Sequence, residues 1–287
     1  MTSISCGLMA WNEAKTVDLT LKSISGFADE VIIVDTGSFD GTQRIAREWM
    51  DKLDLSGQIK NIHSKSIYEM RSASIDLCTK DWVLMQDATL PLSNALKREM
   101  VEFTEKHNMF TGAVKSLNLM GDYEHYFSNR PFMAAHPILS RRDSPRTETP
   151  LRPRFNTKVI TLKNYAVNLS RVRPAWRSYY RGEPFDRRYY KLGDDTQAKE
   201  VNYAVMYGLS KKHHSMVEYM ETERGMTFDD VKRVAPGWYL KQLKIEATPL
   251  TQIYREALPE VIKEEQKNPR YKLIYDDGEI VGRSPEL

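Results

Sequence analysis

The chain has 287 residues, 41% of them hydrophobic and 28% charged, with a formal net charge of +3, a balance ordinary for a globular protein able to bury a true core. No apolar run approaches the roughly 20 residues that a helix needs to cross a bilayer, and no basic segment with an apolar signal core opens the sequence, so a cytoplasmic protein is expected. Cys6 and Cys78 lie in apolar settings and are expected as buried free thiols, and no Cys/His cluster has zinc spacing.

Ile4 to Trp11 is an apolar run that ends in Asn12-Glu13 and passes into a helix carrying Val17, Leu21 and Ile24. Val31 to Val34 is a short β-branched run, which suits a strand covered on both faces of a parallel sheet, and Asp35 sits at its carboxyl end. Gly37 and Gly41 permit a tight turn, after which Gln43 to Met50 reads as a helix with Ile45, Ala46 and Trp49 at helical spacing. In an open α/β sheet ligands bind outside the carboxyl ends of the strands, which directs Asp35, Ser38 and Asp40 toward a crevice. The plainer alternative is a capped turn, with Asp40 capping the helix.

Lys60 to His63 reads as a third strand and Tyr68 to Cys78 as a helix with Arg71 in its first turns. Asp81 to Thr89 is an apolar strand that ends in the polar tetrad Gln86-Asp87-Ala88-Thr89 before Pro91. Ser93 to Lys106 places Leu96, Met100 and Phe103 on one stripe of a core-facing helix. Gly112 to Met120 and Ala134 to Arg142 read as strands around a Tyr- and His-rich loop, Asp122 to Arg130. His107, His125 and His136 are isolated and expected to be structural or solvated. Beyond Gly193 the spacing predicts helices over Asp195–Tyr207, Lys211–Glu223 and Leu250–Lys267, with breaks at Pro236-Gly237 and Pro249 and a short helix capped by Thr227. Asp277-Gly278 between apolar pairs predicts a hairpin over Tyr271–Val281.

The step Trp11-Asn12-Glu13, followed about twenty residues later by Val-Asp-Thr-Gly-Ser-Phe-Asp-Gly-Thr from Val34 to Thr42, resembles the amino-terminal half of family 2 glycosyltransferases of the GT-A fold. The resemblance implies an α/β architecture: a GT-A-like, mostly parallel sheet flanked by helices. Residues 1–192 would bind nucleotide-sugar and acceptor, and residues 193–287 would form a helical appendage ending in a hairpin. It implies that Glu13 and Asp35 hold the base and ribose of the donor. Trp11, Asn12, Gly37, Ser38, Asp40, Arg71, Gln86 and Asp87 would complete the donor site, Arg71 facing the pyrophosphate. In that family the strand ending at Asp87 closes with Asp-X-Asp, whose carboxylates bind Mn²⁺ or Mg²⁺. Thr89 stands here for the second carboxylate and Asn168 for a histidine, so a divalent cation at Asp87 is expected to be weakened or lost.

The acceptor is read from charge. Pro137 to Leu192 carries fourteen Lys or Arg against four Asp or Glu, a local +10 within a chain whose total is +3, so the remainder carries −7. Aromatic residues are interleaved with these cations, as a nucleic-acid groove requires for phosphate pairing and base stacking. Arg171, Arg173, Trp176, Arg177, Arg187 and Arg188 are the expected contacts. A diphosphate-holding loop, or arginines lying over aromatic surface, are the alternatives. An inverting transfer needs a carboxylate base, and Glu148 and Asp143, with Asp87 nearby in role, are the catalytic candidates. The leading expectation is transfer from a UDP-sugar to hydroxymethyl-pyrimidine duplex DNA, of the kind viruses make, by a protein acting in a host cytoplasm. The rivals are a transferase for lipopolysaccharide, polysaccharide or peptide, and an inactive module that kept the fold and still binds nucleotide-sugar or nucleic acid.

Overall fold

The structure, a computed structural model, describes residues 2–62, 67–129, 131–147, 154–155, 157–182, 221 and 225–285. The first half alternates strand and helix: β1 (Ile4–Ala10), α1 (Val17–Ile24), β2 (Glu30–Asp35), α2 (Thr42–Lys52), β3 (Gly57–Asn61), α3 (Ile67–Asp76), β4 (Trp82–Asp87) and α4 (Asn94–Lys106). Strands then dominate: β5 (Phe110–Asn118), β6 (His125–Phe127), β7 (Phe132–Arg141), β8 (Arg146–Thr147), β9 (Arg154–Phe155), β10 (Lys158–Thr161) and β11 (Ala166–Asn168). The remaining described elements are α5 (Ala175–Gly182), α6 (Phe228–Glu246), β12 (Ala247–Pro249), α7 (Gln252–Glu256), α8 (Glu260–Lys267), β13 (Lys272–Asp276) and β14 (Glu279–Ser284).

The central sheet runs β10-β5-β7-β4-β1-β2-β3, with β11 also pairing β5. Pairing is parallel for β1 with β2 and β4, for β2 with β3, and for β5 with β10 and β11; β7 alone runs antiparallel, between β4 and β5. The apolar runs predicted as doubly covered strands are so: every residue of β1 is buried, as are Val31 to Asp35. One face of β1 (Ile4, Cys6, Leu8, Ala10) packs with Val17 and Leu21 of α1 and Leu96 and Met100 of α4. Met9 on the other face packs with Val34 and with Met70 of α3. Gly57 opens β3 at φ 148°, where a Cβ would lie 1.8 Å from the Val31 carbonyl oxygen, so only glycine lets β3 come this close to β2. Both cysteines are buried and free.

The described residues after Gly193 share their buried clusters with the first half of the chain. Val231, Ala235, Tyr239 and Leu243 form a four-residue-spaced stripe of α6 that shares a cluster with Trp11, Met120 and Phe127. Leu258 and Ile262 share another with Leu19 and Leu117. That stripe also explains why α6 runs through Pro236, where a break was expected: packing of one continuous face outweighs the lost amide bond. The single helix expected over Leu250–Lys267 is instead two, α7 and α8, with Pro259 at the N-cap of the second. Thr227 caps α6 through a capping box with Asp230. The hairpin β13–β14 turns at Asp277 (φ 46°) and Gly278 (φ 80°), the left-handed pair that a tight two-residue turn needs. Its Arg283 is buried between the rings of Tyr239 and Tyr271. The helices expected over Asp195–Tyr207 and Lys211–Glu223 lie outside the described residues, Glu221 excepted. No helix among the described residues is long and apolar enough to cross a membrane.

Candidate functional site

Three parallel strands end together. The register aligns Ala10 with Asp35 and Met9 with Asp87, so Trp11-Asn12-Glu13, the Asp35 turn and Asp87 all leave the sheet at one edge. The two loops after β1 and β2 are tied to each other. Asn12, at φ 53°, donates its backbone N–H to Ser38 Oγ at 2.8 Å, and its side-chain oxygen accepts the Phe39 N–H at 2.9 Å. The Glu13 N–H donates to Thr42 Oγ1 at 2.7 Å, and the Ala14 N–H to Asp40 Oδ2 at 3.1 Å. Asp40 Oδ1 also accepts the Thr42 N–H at 3.1 Å, so Asp40 bridges the loops and holds the first residue of α2, whose N-cap is Gly41.

Asp35 is fully buried. Its Oδ1 accepts the N–H groups of Gly37 and Ser38 at 2.9 and 2.8 Å and the Gln43 amide at 3.0 Å. Oδ2 has no partner among the described residues. A buried carboxylate oxygen left so is costly, and it is open to an N–H or O–H arriving at the strand end. Asn12 Nδ2 and both amide atoms of Gln86 are likewise buried without described partners, which marks the same strand ends as polar and unfinished.

Glu13 is held by the distant half of the chain. Its Oε1 lies 3.1 Å from Arg173 and 3.5 Å from Arg177, and its Oε2 accepts the Thr16 hydroxyl at 3.0 Å. Arg177 also donates to the Trp11 carbonyl and covers the Trp11 ring at 4.3 Å. Burial pushes the Glu13 carboxyl up from its ordinary value, and the two guanidiniums and Thr16 only partly offset this. Arg173 and Arg177, expected at a nucleic-acid surface, are therefore turned inward and buried. Arg171 is partly exposed and lies over Phe127 at 4.1 Å. Trp176 stacks on Phe39 of the donor loop at 5.8 Å and meets Phe228 edge-on at 5.2 Å.

Arg71, on the α3 side of the sheet, places Nη2 3.1 Å from Asp87 Oδ1; the guanidinium is 5% exposed and the carboxylate 35%. This is a poor donor set for a divalent cation, because the carboxylate at the strand end already has a guanidinium beside it and an entering cation would face that fixed positive charge. Thr89 is buried, and its carbonyl accepts the Leu169 N–H at 2.9 Å. Asn168 donates its amide to Asn118 at 3.0 Å and accepts the Ser170 N–H at 2.9 Å, so it is engaged in fixing β11 beside β5. Among the described residues no three His, Cys, Asp or Glu side chains are grouped so as to share a metal.

Asp143 is a correction. Trp82 pairs with Arg141, so the antiparallel β7 delivers Arg141 and Asp143 to the amino end of β4, the edge opposite Asp87, where they ion-pair at 3.1 Å. Glu148, Arg187 and Arg188 lie outside the described residues. What the sequence reading missed is the inward guanidinium clamp on Glu13. Arg173, Arg177 and Trp11 are each visible as residues, but nothing local announces a contact across 166 positions.

Residues 5–163 match the model of a family described as glycosyl transferase family 2. An uncharacterized glycosyltransferase of Rickettsia felis (strain ATCC VR-1525 / URRWXCal2) is 32% identical over 108 residues, 38% of this chain and 36% of that protein. Another from Rickettsia conorii (strain ATCC VR-613 / Malish 7) is 33% identical over 105 residues, 37% of this chain and 35% of its own length. This chain thus matches about a third of the length of these curated relatives. Among solved structures, glucosyl-3-phosphoglycerate synthase from Mycobacterium tuberculosis, in complex with Mn²⁺, UDP and phosphoglyceric acid, has a TM-score of 0.33 at 22% identity, covering 41% of this chain and 43% of that one. S. aureus TarS 1-349 has a TM-score of 0.40 at 14% identity, covering 97% and 98%.

Proposed function

The chain belongs to glycosyl transferase family 2, and from that premise we propose that it moves a sugar from a nucleotide-sugar, a UDP-sugar first, to an acceptor hydroxyl with inversion at the anomeric carbon. The observation that carries this reading is the unpartnered Oδ2 of buried Asp35 at the shared edge of β1, β2 and β4. Such an acceptor atom fits an N–H or O–H of the nucleoside. Glu13 supports the same loop from behind, through its bond to Thr42 and its arginine partners, rather than by reaching the ligand itself. In the transfer the acceptor oxygen bonds to the anomeric carbon, and the bond from that carbon to the diphosphate oxygen breaks with its electron pair. The acceptor proton passes to a carboxylate base, for which Glu148 is the remaining candidate beside Asp87.

For the acceptor we propose a polyanion, with hydroxymethyl-pyrimidine duplex DNA as the case to test first; the +10 balance of Pro137 to Leu192 supports it. The inward turn of Arg173 and Arg177 subtracts two of its cations and favours the second reading, a lipopolysaccharide, polysaccharide or peptide acceptor. Incubating the protein with a panel of nucleotide-sugars and each acceptor class, with UDP release and product mass as readouts, tests both. Sugar consumption with a mass gain on one acceptor is the expected result. Binding of UDP without turnover on any acceptor would leave an inactive nucleotide-sugar module, and no binding at all would overturn the donor reading.

A further inference from the structure

Family 2 glycosyltransferases were expected to meet the donor diphosphate through a divalent cation held at the end of β4, and the residues there do not fit one. The strand ends in Asp87, whose carboxylate already has the Arg71 guanidinium at 3.1 Å. A cation entering at Asp87 would give up part of that carboxylate to Arg71 and be repelled by a fixed positive charge a few ångströms away, with Coulomb repulsion strengthened by burial of the guanidinium. Thr89 offers a neutral, buried hydroxyl, and the Asn168 amide is committed to Asn118 and Ser170. Arg71 is fixed in its turn by the helix that carries it, because α3 packs Met70 and Ile75 against β1, β2 and β4. The guanidinium therefore stays beside Asp87 without help from a ligand.

We propose that Arg71, buried beside the half-buried Asp87, removes the repulsion that a cation would otherwise have to offset, so that this site takes the nucleotide diphosphate without a divalent metal. The inference rests on the donor reading above and adds to it how the diphosphate is tolerated. A bare carboxylate at the end of β4 would repel an incoming diphosphate, and in a metal-using site the cation reverses that repulsion. Here the fixed guanidinium cancels it in advance. As the bond from the anomeric carbon to the diphosphate oxygen breaks, the electron pair leaves on a diphosphate facing a carboxylate countered by a guanidinium rather than a bare carboxylate. Arg71 acts through Asp87 and is a positioning residue in this scheme. The pair is asymmetric in a useful way: removing its positive member should create a cation requirement, whereas removing its negative member should not.

The test is calorimetric titration of the full chain with UDP, in chelator and then in excess Mn²⁺. The native protein should bind with the same affinity, within about twofold, in both conditions. Arg71→Met should lose about tenfold or more in chelator and recover with Mn²⁺, because Asp87, no longer facing that guanidinium, first repels the diphosphate and then holds the cation. Arg71→Lys should keep cation-independent binding, since it restores the charge. A merely structural Arg71 would instead give Arg71→Met a deficit that Mn²⁺ does not repair, and that result overturns the proposal. If Arg71→Met does not fold, Asp87→Asn at the more exposed partner decides: UDP binding in chelator tighter than the native protein's, because the guanidinium no longer faces a carboxylate there, supports the pair, and weaker binding that Mn²⁺ does not repair overturns it. Native binding that requires Mn²⁺ or Mg²⁺, and that Asp87→Asn abolishes, overturns it while leaving the donor reading intact. No UDP binding in either condition overturns both.

Discussion

Asp35→Asn isolates the nucleoside contact from the turn that presents it. Oδ1 of Asp35 holds the turn through Gly37, Ser38 and Gln43, and the carbonyl oxygen of an asparagine can accept the same three hydrogen bonds. Oδ2, buried and unpartnered among the described residues, becomes an NH₂ group in the variant. An acceptor aimed at a ligand N–H or O–H is thereby turned into a second donor. Losing one hydrogen bond to a charged group costs about 1.5 to 3 kcal/mol, which corresponds to a rise of about 10- to 150-fold in the Kd for UDP. Stability should fall by much less, about 1 kcal/mol, because the turn keeps its bonds to a neutral acceptor. Asp35→Ala should lose both, since nothing replaces Oδ1. Titration calorimetry with UDP, alongside thermal melting of each variant, separates the two effects. A folded Asp35→Asn protein with the native Kd would refute the assignment of Oδ2 to the nucleoside.

Glu13→Ala takes from Thr16, Arg173 and Arg177 a partner that all three share and should destabilise the fold by about 3 to 5 kcal/mol; a loss below about 1 kcal/mol in urea melts would refute the clamp. Burial alone would raise the Asp18 carboxyl, but the Arg270 hydrogen bonds and charge and the Lys22 charge outweigh it and hold it below its ordinary 3.8. Because the folded value is the lower one, its stabilisation is present above the unfolded value and is lost as pH falls through the folded value. Asp18→Asn should therefore be less stable than the native protein at neutral pH and converge with it in acid, and parallel curves of urea midpoint against pH would refute this. If duplex DNA is the acceptor, anisotropy titrations should show the logarithm of affinity falling with the logarithm of salt by about 0.9 per phosphate contact. Arg173→Ala should leave that slope unchanged, because its guanidinium faces Glu13, and absence of binding near ~50 mM salt moves the acceptor to a glycan or peptide.

The first half of the molecule was legible because its signals are local. A strand covered on both faces is apolar at nearly every position, so β1, β2 and β4 announce themselves, and the polar residues that end such runs are left together at one edge of the sheet. The resemblance of Trp-Asn-Glu and the Asp35 turn rests on the same few residues that the structure ties together through Asn12, Ser38 and Asp40. The errors have a common physical origin in direction and distance. Asp143 was misjudged because the edge it occupies depends on β7 running antiparallel, which a strand's composition does not encode. Arg173 and Arg177 were read as surface cations because charged residues usually are, and only tertiary structure brings a buried carboxylate to them. Pro236 was taken as a stop because propensity is visible along a segment, whereas the stripe from Val231 to Leu243 has meaning only against Trp11 and Phe127.

Arg283 ties the order of biosynthesis to the readiness of the site. It donates to the Arg173 carbonyl, 110 positions earlier, and to that of Gly121, while Arg177 reaches back 166 positions to Trp11. A ribosome adding about 5 to 20 residues per second releases Trp11 and Glu13 roughly 8 to 33 s before Arg177 can cover them. Once β4 has been made, and until Arg177 follows, the nascent chain has every strand of the β4-β1-β2-β3 core, yet it displays an indole and a carboxylate that Arg177 does not yet cover. Such a surface is what chaperones bind. A chain truncated before β14 still carries Trp11, Glu13 and Asp35 but lacks the Arg283 bond to the Arg173 carbonyl, so it should fold its sheet and hold Arg173 less firmly against Glu13.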